Sequence, residues 1–132
     1  MEGKQIADYR SPDGGFTYTV SESAGFYVLY QEGVERLADA QHLKATLQDL
    51  SRKLGRRYAL LMPLPEKFSD VAPEARKTMA DAVLGNDSPL SKFAIFGGTF
   101  VMRALFNMYG RISKVPLRLF ATQAEAEAWL KA

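Results

Sequence analysis

The chain has 132 residues, no cysteine, 47% hydrophobic and 24% charged residues, and a formal net charge of +2. That length fits one domain able to bury about two-thirds of its unfolded surface, and the composition excludes long disorder. No run of about 18 apolar residues occurs, so no membrane span is expected, and the lack of cysteine excludes disulfides and thiolate metal sites.

Met1-Glu2-Gly3-Lys4-Gln5 has no apolar core of the secretory type, and a cytoplasmic location is the expectation. Charge is unevenly placed. Residues 1–51 carry 4 basic and 8 acidic groups, and residues 52–132 carry 13 basic and 7 acidic groups. Between Ser88 and Ala121 stand Lys92, Arg103, Arg111, Lys114 and Arg118 with no acidic residue. Such a stretch is either a solvated basic face or an attraction for an anionic partner.

The first 31 residues read as an antiparallel meander. Phe16, Tyr18 and Val20 alternate with Thr17 and Thr19, the period of a half-buried strand. Ser11-Pro12-Asp13-Gly14-Gly15 has turn chemistry, with a short strand near Gln5–Tyr9 before it. Phe26-Tyr27-Val28-Leu29-Tyr30 is another strand. The period then changes. Leu43, Leu47, Leu50 and Leu54 predict a helix from about Ala38 to Leu54, with Gly55 as its stop.

Arg57–Met62 reads as a buried strand, ended by Pro63 and Pro65. A loop follows from Leu64 to Ala72, and Pro73 opens a helix to about Leu84. Lys92–Phe96 is a short buried strand. Gly97-Gly98-Thr99 breaks it, and Thr99 caps a helix through about Tyr109, which Gly110 is expected to stop. Leu117–Phe120 is the last strand. Thr122-Gln123-Ala124-Glu125 is a capping box for a final helix with Ala126, Trp129 and Leu130 inward.

Alternation of this kind implies right-handed crossovers and a largely parallel sheet, made mixed by the meander. The expected architecture is one α/β domain over 1–132, with a meander at 1–31 and an alternating part at 38–132. It has about five strands in a mixed sheet and four helices mainly on one side.

Several segments carry a resemblance: Val71-Ala72-Pro73-Glu74-Ala75-Arg76, Ser88-Pro89-Leu90-Ser91-Lys92, Lys114–Phe120 and Glu125–Leu130. With the element order, they resemble the STAS-like domains related to sporulation anti-sigma-factor antagonists, and the bacterial STAS/SEC14-like proteins of uncharacterised function. The resemblance spans roughly 16–132. It implies a STAS-like fold and a regulatory, non-catalytic role. In those antagonists a hydroxyl at the start of the second helix is phosphorylated, within an Asp-Ser-Ser-Gly-like stretch. Here Asp70 matches, but Val71, Ala72 and Pro73 follow it, and Ser69 stands on the wrong side of Asp70. No phosphoacceptor carries over.

The inventory for catalysis is thin. His42 is the sole histidine, and no paired carboxylates stand out. No catalytic residue, metal or cofactor is expected. Ligands of open α/β sheets favour the carboxyl ends of the strands. The loops expected there are 63–72, 97–99 and 121–122, which makes Phe68, Ser69, Asp70, Gly97, Gly98 and Thr99 candidates for ligand or partner contact. Gly97-Gly98-Thr99 also offers backbone N–H groups, but it lacks the lysine and spacing of a phosphate loop.

The helix after Thr99 is apolar on two faces. Phe100, Val101, Ala104, Leu105 and Met108 form one; Met102, Phe106 and Tyr109 form the other. Either both are covered within the monomer, or one meets a second copy, a partner or an apolar ligand. Met102, Phe106 and Tyr109, with Arg103 at the rim, are taken as the candidate interface of a homodimer. The preferred function is a protein-interaction or regulatory module. The runner-up is a carrier or sensor of a small apolar or anionic ligand. Specific nucleic-acid binding is not expected, since no recognition helix or aromatic–basic motif is present.

Overall fold

The computed structural model describes residues 4–65 and 68–132, with the backbone alone at Phe68 and Ser69. Strands β1 (Lys4–Arg10), β2 (Phe16–Ser23) and β3 (Phe26–Glu35) form the antiparallel meander. Helix α1 (Leu37–Leu54) follows, then β4 (Tyr58–Leu64), β5 (Phe68–Val71), α2 (Pro73–Leu84), β6 (Leu90–Gly97), α3 (Phe100–Ile112), β7 (Leu117–Phe120) and α4 (Gln123–Lys131). The sheet order is β1-β2-β3-β4-β6-β7, with β5 on β3 as a seventh strand. Pairing is antiparallel up to β3 and parallel beyond it.

Strand β3 is shared lengthwise. Its first half pairs with β4 through Tyr27 and Val28, and its last residues pair with β5 through Gly33, Val34 and Glu35. It therefore runs past the expected end at Tyr30, as far as Glu35. Gly33 lies opposite Phe16 at φ 94°, where a Cβ would stand 2.0 Å from the Gly15 carbonyl oxygen. Only glycine fits both the left-handed backbone and that approach.

Strand β5 corrects the expected loop between β4 and α2. Its residues, Phe68-Ser69-Asp70-Val71, pair only with the tail of β3, and nothing in their periodicity marks them as a strand. Gly110 is a second correction: it lies inside α3, which continues to Ile112. A Cβ at Gly110 would meet Leu117 Cδ2 at 3.3 Å, so glycine there serves the close approach of β7 and does not stop the helix.

The main core lies between the sheet and α1, α2 and α3. Phe16, Tyr18, Leu29, Leu60, Met62 and Phe93 from the strands meet Leu43, Leu47, Met79 and Phe106 from the helices. A smaller core on the other face joins Phe26, Val28, Leu61 and Ala94 to Ala126 and Leu130 of α4. Three helices thus cover one side and the shortest covers part of the other. The buried Tyr58 hydroxyl is paired, donating to the Leu47 carbonyl at 2.8 Å.

Candidate functional site

Helix α3 begins at a turn that only glycine builds. Gly97 and Gly98 have φ of 81° and 79°, and a Cβ on Gly98 would stand 2.7 Å from Leu64 Cδ1 at the end of β4. Thr99 then caps the helix, its hydroxyl accepting from the Met102 N–H at 3.2 Å. Stop, turn and cap lie within three residues, which fixes the helix against the carboxyl end of the sheet.

The helix turns the opposite way from the expected interface. Phe106 is 6% exposed and belongs to the main core, with Met102 and Tyr109 packed against it. These three side chains turn into the main core, where Phe106 and Tyr109 line a slot against Met79 and Val83 of α2. The solvent side carries Phe100 (80% exposed), Val101 (75%), Met108 (64%) and Ile112 (74%). Arg103, placed at the rim of the expected interface, instead lines a groove of about 700 Å3 between α3 and β7, together with Phe100, Asn107, Arg118 and Phe120. The signal that identifies the outer face is Arg111. It falls at the spacing of Phe100, Ala104 and Met108, and a cation on an apolar stripe marks the side facing water.

The three expected loops gather only in part. Gly97 and Gly98 pack on Leu64, but Asp70 is engaged locally. One of its carboxylate oxygens accepts from the Val71 N–H at 2.7 Å, and the other pairs with Arg76 at 3.5 Å. Among the described residues no hydrogen bond joins Asp70 to the 97–99 turn. Glu66 and Lys67, and the side chains of Phe68 and Ser69, lie outside what is described.

A second group of polar residues lies under the start of α1. Tyr18 hydroxyl is 2.7 Å from His42 Nδ1 and 2.6 Å from Thr46 Oγ1. The His42 ring stacks on Tyr9 at 4.2 Å, and the Tyr9 hydroxyl donates to Asp39 at 2.7 Å. That hydrogen bond, with burial, pushes the Tyr9 hydroxyl up to about 12. The sole histidine is thus held by the Tyr18 hydroxyl and the Tyr9 ring. Glu35 is fully buried and neither of its carboxylate oxygens has a hydrogen-bond partner among the described residues. Burial first, and the Asp39 charge second, push its carboxyl up to about 8. Sequence reasoning missed this cluster because its members are spread from Tyr9 to Thr46 with no motif spacing. Among the described residues no group of three or more His, Asp or Glu is placed to hold a metal ion.

Comparison with solved structures decides the fold. A protein of the DUF3478 family from Shewanella loihica PV-4, uncharacterised and with a SpoIIAA-like fold, superposes with a TM-score of 0.69 at 13% identity, over 88% of this chain and 94% of that one. The fold is SpoIIAA-like. An anti-sigma factor antagonist from Mycobacterium paratuberculosis shares it, with a TM-score of 0.61 at 16% identity, over 94% of this chain and all of that one (100%). No family model matches the sequence, and the search of curated proteins finds no match. The STAS-like arrangement that the resemblance implies stands, with seven strands in place of about five. Among the described residues no helix is long and apolar enough to cross a membrane.

Proposed function

We propose that this protein is a cytoplasmic protein-interaction module of regulatory type, and that it meets its partner through the outer face of α3. The observation that carries the reading is the exposure of Phe100, Val101, Met108 and Ile112 on one helix face, beside a groove that holds Arg103 and Arg118. Four large apolar side chains together in water are unusual for a monomer that has no use for them. Their removal from water would contribute about 25 cal/mol per Å2 of apolar area, part of which is lost to the entropy of association. The SpoIIAA-like fold supports the reading, since one protein that shares it is an anti-sigma factor antagonist.

The carrier reading needs an enclosed apolar cavity of a few hundred Å3. The apolar slot between α2 and α3, lined by Met79, Val83, Leu105 and Phe106, has room for about 20 Å3, the space of roughly one water. The larger spaces, about 700 Å3 beside α3 and about 570 Å3 between the meander and α1, are open grooves with charged side chains in their walls. The interaction reading is therefore favoured.

Site-specific photocrosslinking in cells tests it. A photoreactive residue at Met108 is expected to trap a discrete polypeptide, while one at Ala45, exposed on α1, does not. Equal crosslinking at both positions, or none at Met108, would overturn the proposal.

A further inference from the structure

Strand β7 ends the sheet, so among the described residues one of its edges has no neighbouring strand. Its pairing with β6 defines which main-chain groups are free. Phe93 N–H donates to the Pro116 carbonyl at 2.9 Å, and the parallel register sets Phe93 against Leu117 and Ile95 against Leu119. In a parallel pair, alternate residues of a strand turn toward each side. Arg118 and Phe120 therefore bond toward β6, and the N–H and C=O groups of Leu117 and Leu119 turn to the open edge. That edge forms one wall of the groove under α3. Unpaired edge groups beside a groove are what an added strand requires.

The charged side chains that line the groove, Arg103 and Arg118, are of one sign. From Ser88 to Ala124 there are five cations and no carboxylate. Lys92 is occupied, donating to the carbonyls of Trp129 and Ala132. Among the described residues Arg103, Arg111, Lys114 and Arg118 make no ion pair. Arg118 lies over the rings of Phe120 and Trp129, at 5.3 and 5.9 Å from their centroids, which leaves its guanidinium edge open to a carboxylate. A second copy fits this edge poorly. Pairing β7 with itself about a two-fold axis would bring Arg103 and Arg118 of the groove against those of the second copy, with no carboxylate among the groove's lining residues.

The geometry points to an extended acidic and apolar segment of a partner protein as the occupant, added as a further strand on the β7 edge. Alternate side chains of such a segment separate onto two faces. Carboxylates on one face meet Arg118. Apolar side chains on the other enter the groove beside Phe100 and Ala104, with Arg103 at its wall. The inference rests on the reading of α3 as a protein-contact surface and adds the partner's chemistry and its mode of attachment.

The test uses three acetylated octapeptides: alternating Glu and Val, the same with Lys for Glu, and the Glu peptide N-methylated at alternate residues. Trp129, the sole tryptophan, has its ring centroid 5.7 Å from that of Phe120 and reports binding by fluorescence. Amide NMR shifts of Leu117 and Leu119 report the edge. Saturable binding of the Glu peptide is expected, weakened about tenfold or more by Lys, by N-methylation, and by Arg118→Glu or Arg103→Glu in a protein with unchanged circular dichroism. No saturable binding of the Glu peptide overturns the inference, as does a response to phosphatidylglycerol vesicles alone. Equal binding of the N-methylated peptide overturns strand addition. The Met108 crosslink is independent of all three peptides, so its loss would instead remove the reading beneath.

Discussion

The Tyr9 hydroxyl donates to the Asp39 carboxylate across 2.7 Å, tying edge strand β1 to the first turn of α1. The other Asp39 oxygen accepts from the Arg36 N–H at 2.9 Å, so one buried carboxylate serves both the helix start and the strand. Tyr9→Phe leaves Asp39 Oδ1 without its donor while Oδ2 keeps the Arg36 N–H. A loss of about 1–2 kcal/mol is expected in urea unfolding. An unchanged midpoint would show that water replaces the hydroxyl.

Glu35 makes stability depend on pH. Its carboxyl is raised from 4.5 to about 8 in the folded protein, so between those values the folded chain holds a proton that the unfolded chain releases. The contribution of Glu35 is therefore full below about pH 4.5, falls as pH rises, and is lost above about 8. Each tenfold difference in proton affinity between the two states is worth about 1.4 kcal/mol, so the whole span amounts to at most on the order of 5 kcal/mol. Glu35→Gln is expected to flatten this slope, giving a variant whose advantage over the native chain grows from about pH 5 to about pH 9 in urea titrations. A difference independent of pH would refute the assignment.

Gly98 is expected to reject a side chain. Alanine there would combine φ near 79° with a Cβ 2.7 Å from Leu64 Cδ1. A cost of roughly 1–3 kcal/mol is expected in thermal unfolding. A neutral substitution would mean that the turn can relax away from Leu64.

The two faces of α3 separate in a paired substitution. Phe106→Ala empties a core site and is expected to cost roughly 3–5 kcal/mol. Met108→Ser is expected to change stability by no more than roughly 0.5 kcal/mol. Similar losses in both variants would contradict the orientation of the helix.

Much of the fold is legible in the sequence where one periodicity governs a segment. The leucines at 43, 47, 50 and 54 place α1 within a residue of its start, and Pro73 opens α2 where its fixed φ predicts. Legibility fails where long-range pairing decides. The tail of β3, Gln31-Glu32-Gly33-Val34-Glu35, looks like a loop because Gln31 and Glu35 are polar yet buried and the strand is paired by β5, which no local pattern foretells. In α3 the two apolar faces are both visible, but which one turns inward is settled by the packing of Met102, Phe106 and Tyr109 into the main core, with Phe106 and Tyr109 against α2. The basic stretch that flanks the candidate groove is plain in the sequence. Its alignment with an open strand edge follows only from β7 lying last in the sheet.

Native mass spectrometry of the protein isolated gently from its own cells, beside the Met108→Asp variant, tests the central claim most directly. The native 14.7 kDa chain is expected to carry a second, different polypeptide, and the variant, equally folded, to have lost it. A bare chain in both samples, a homodimer, or a small apolar molecule retained by both would contradict the claim.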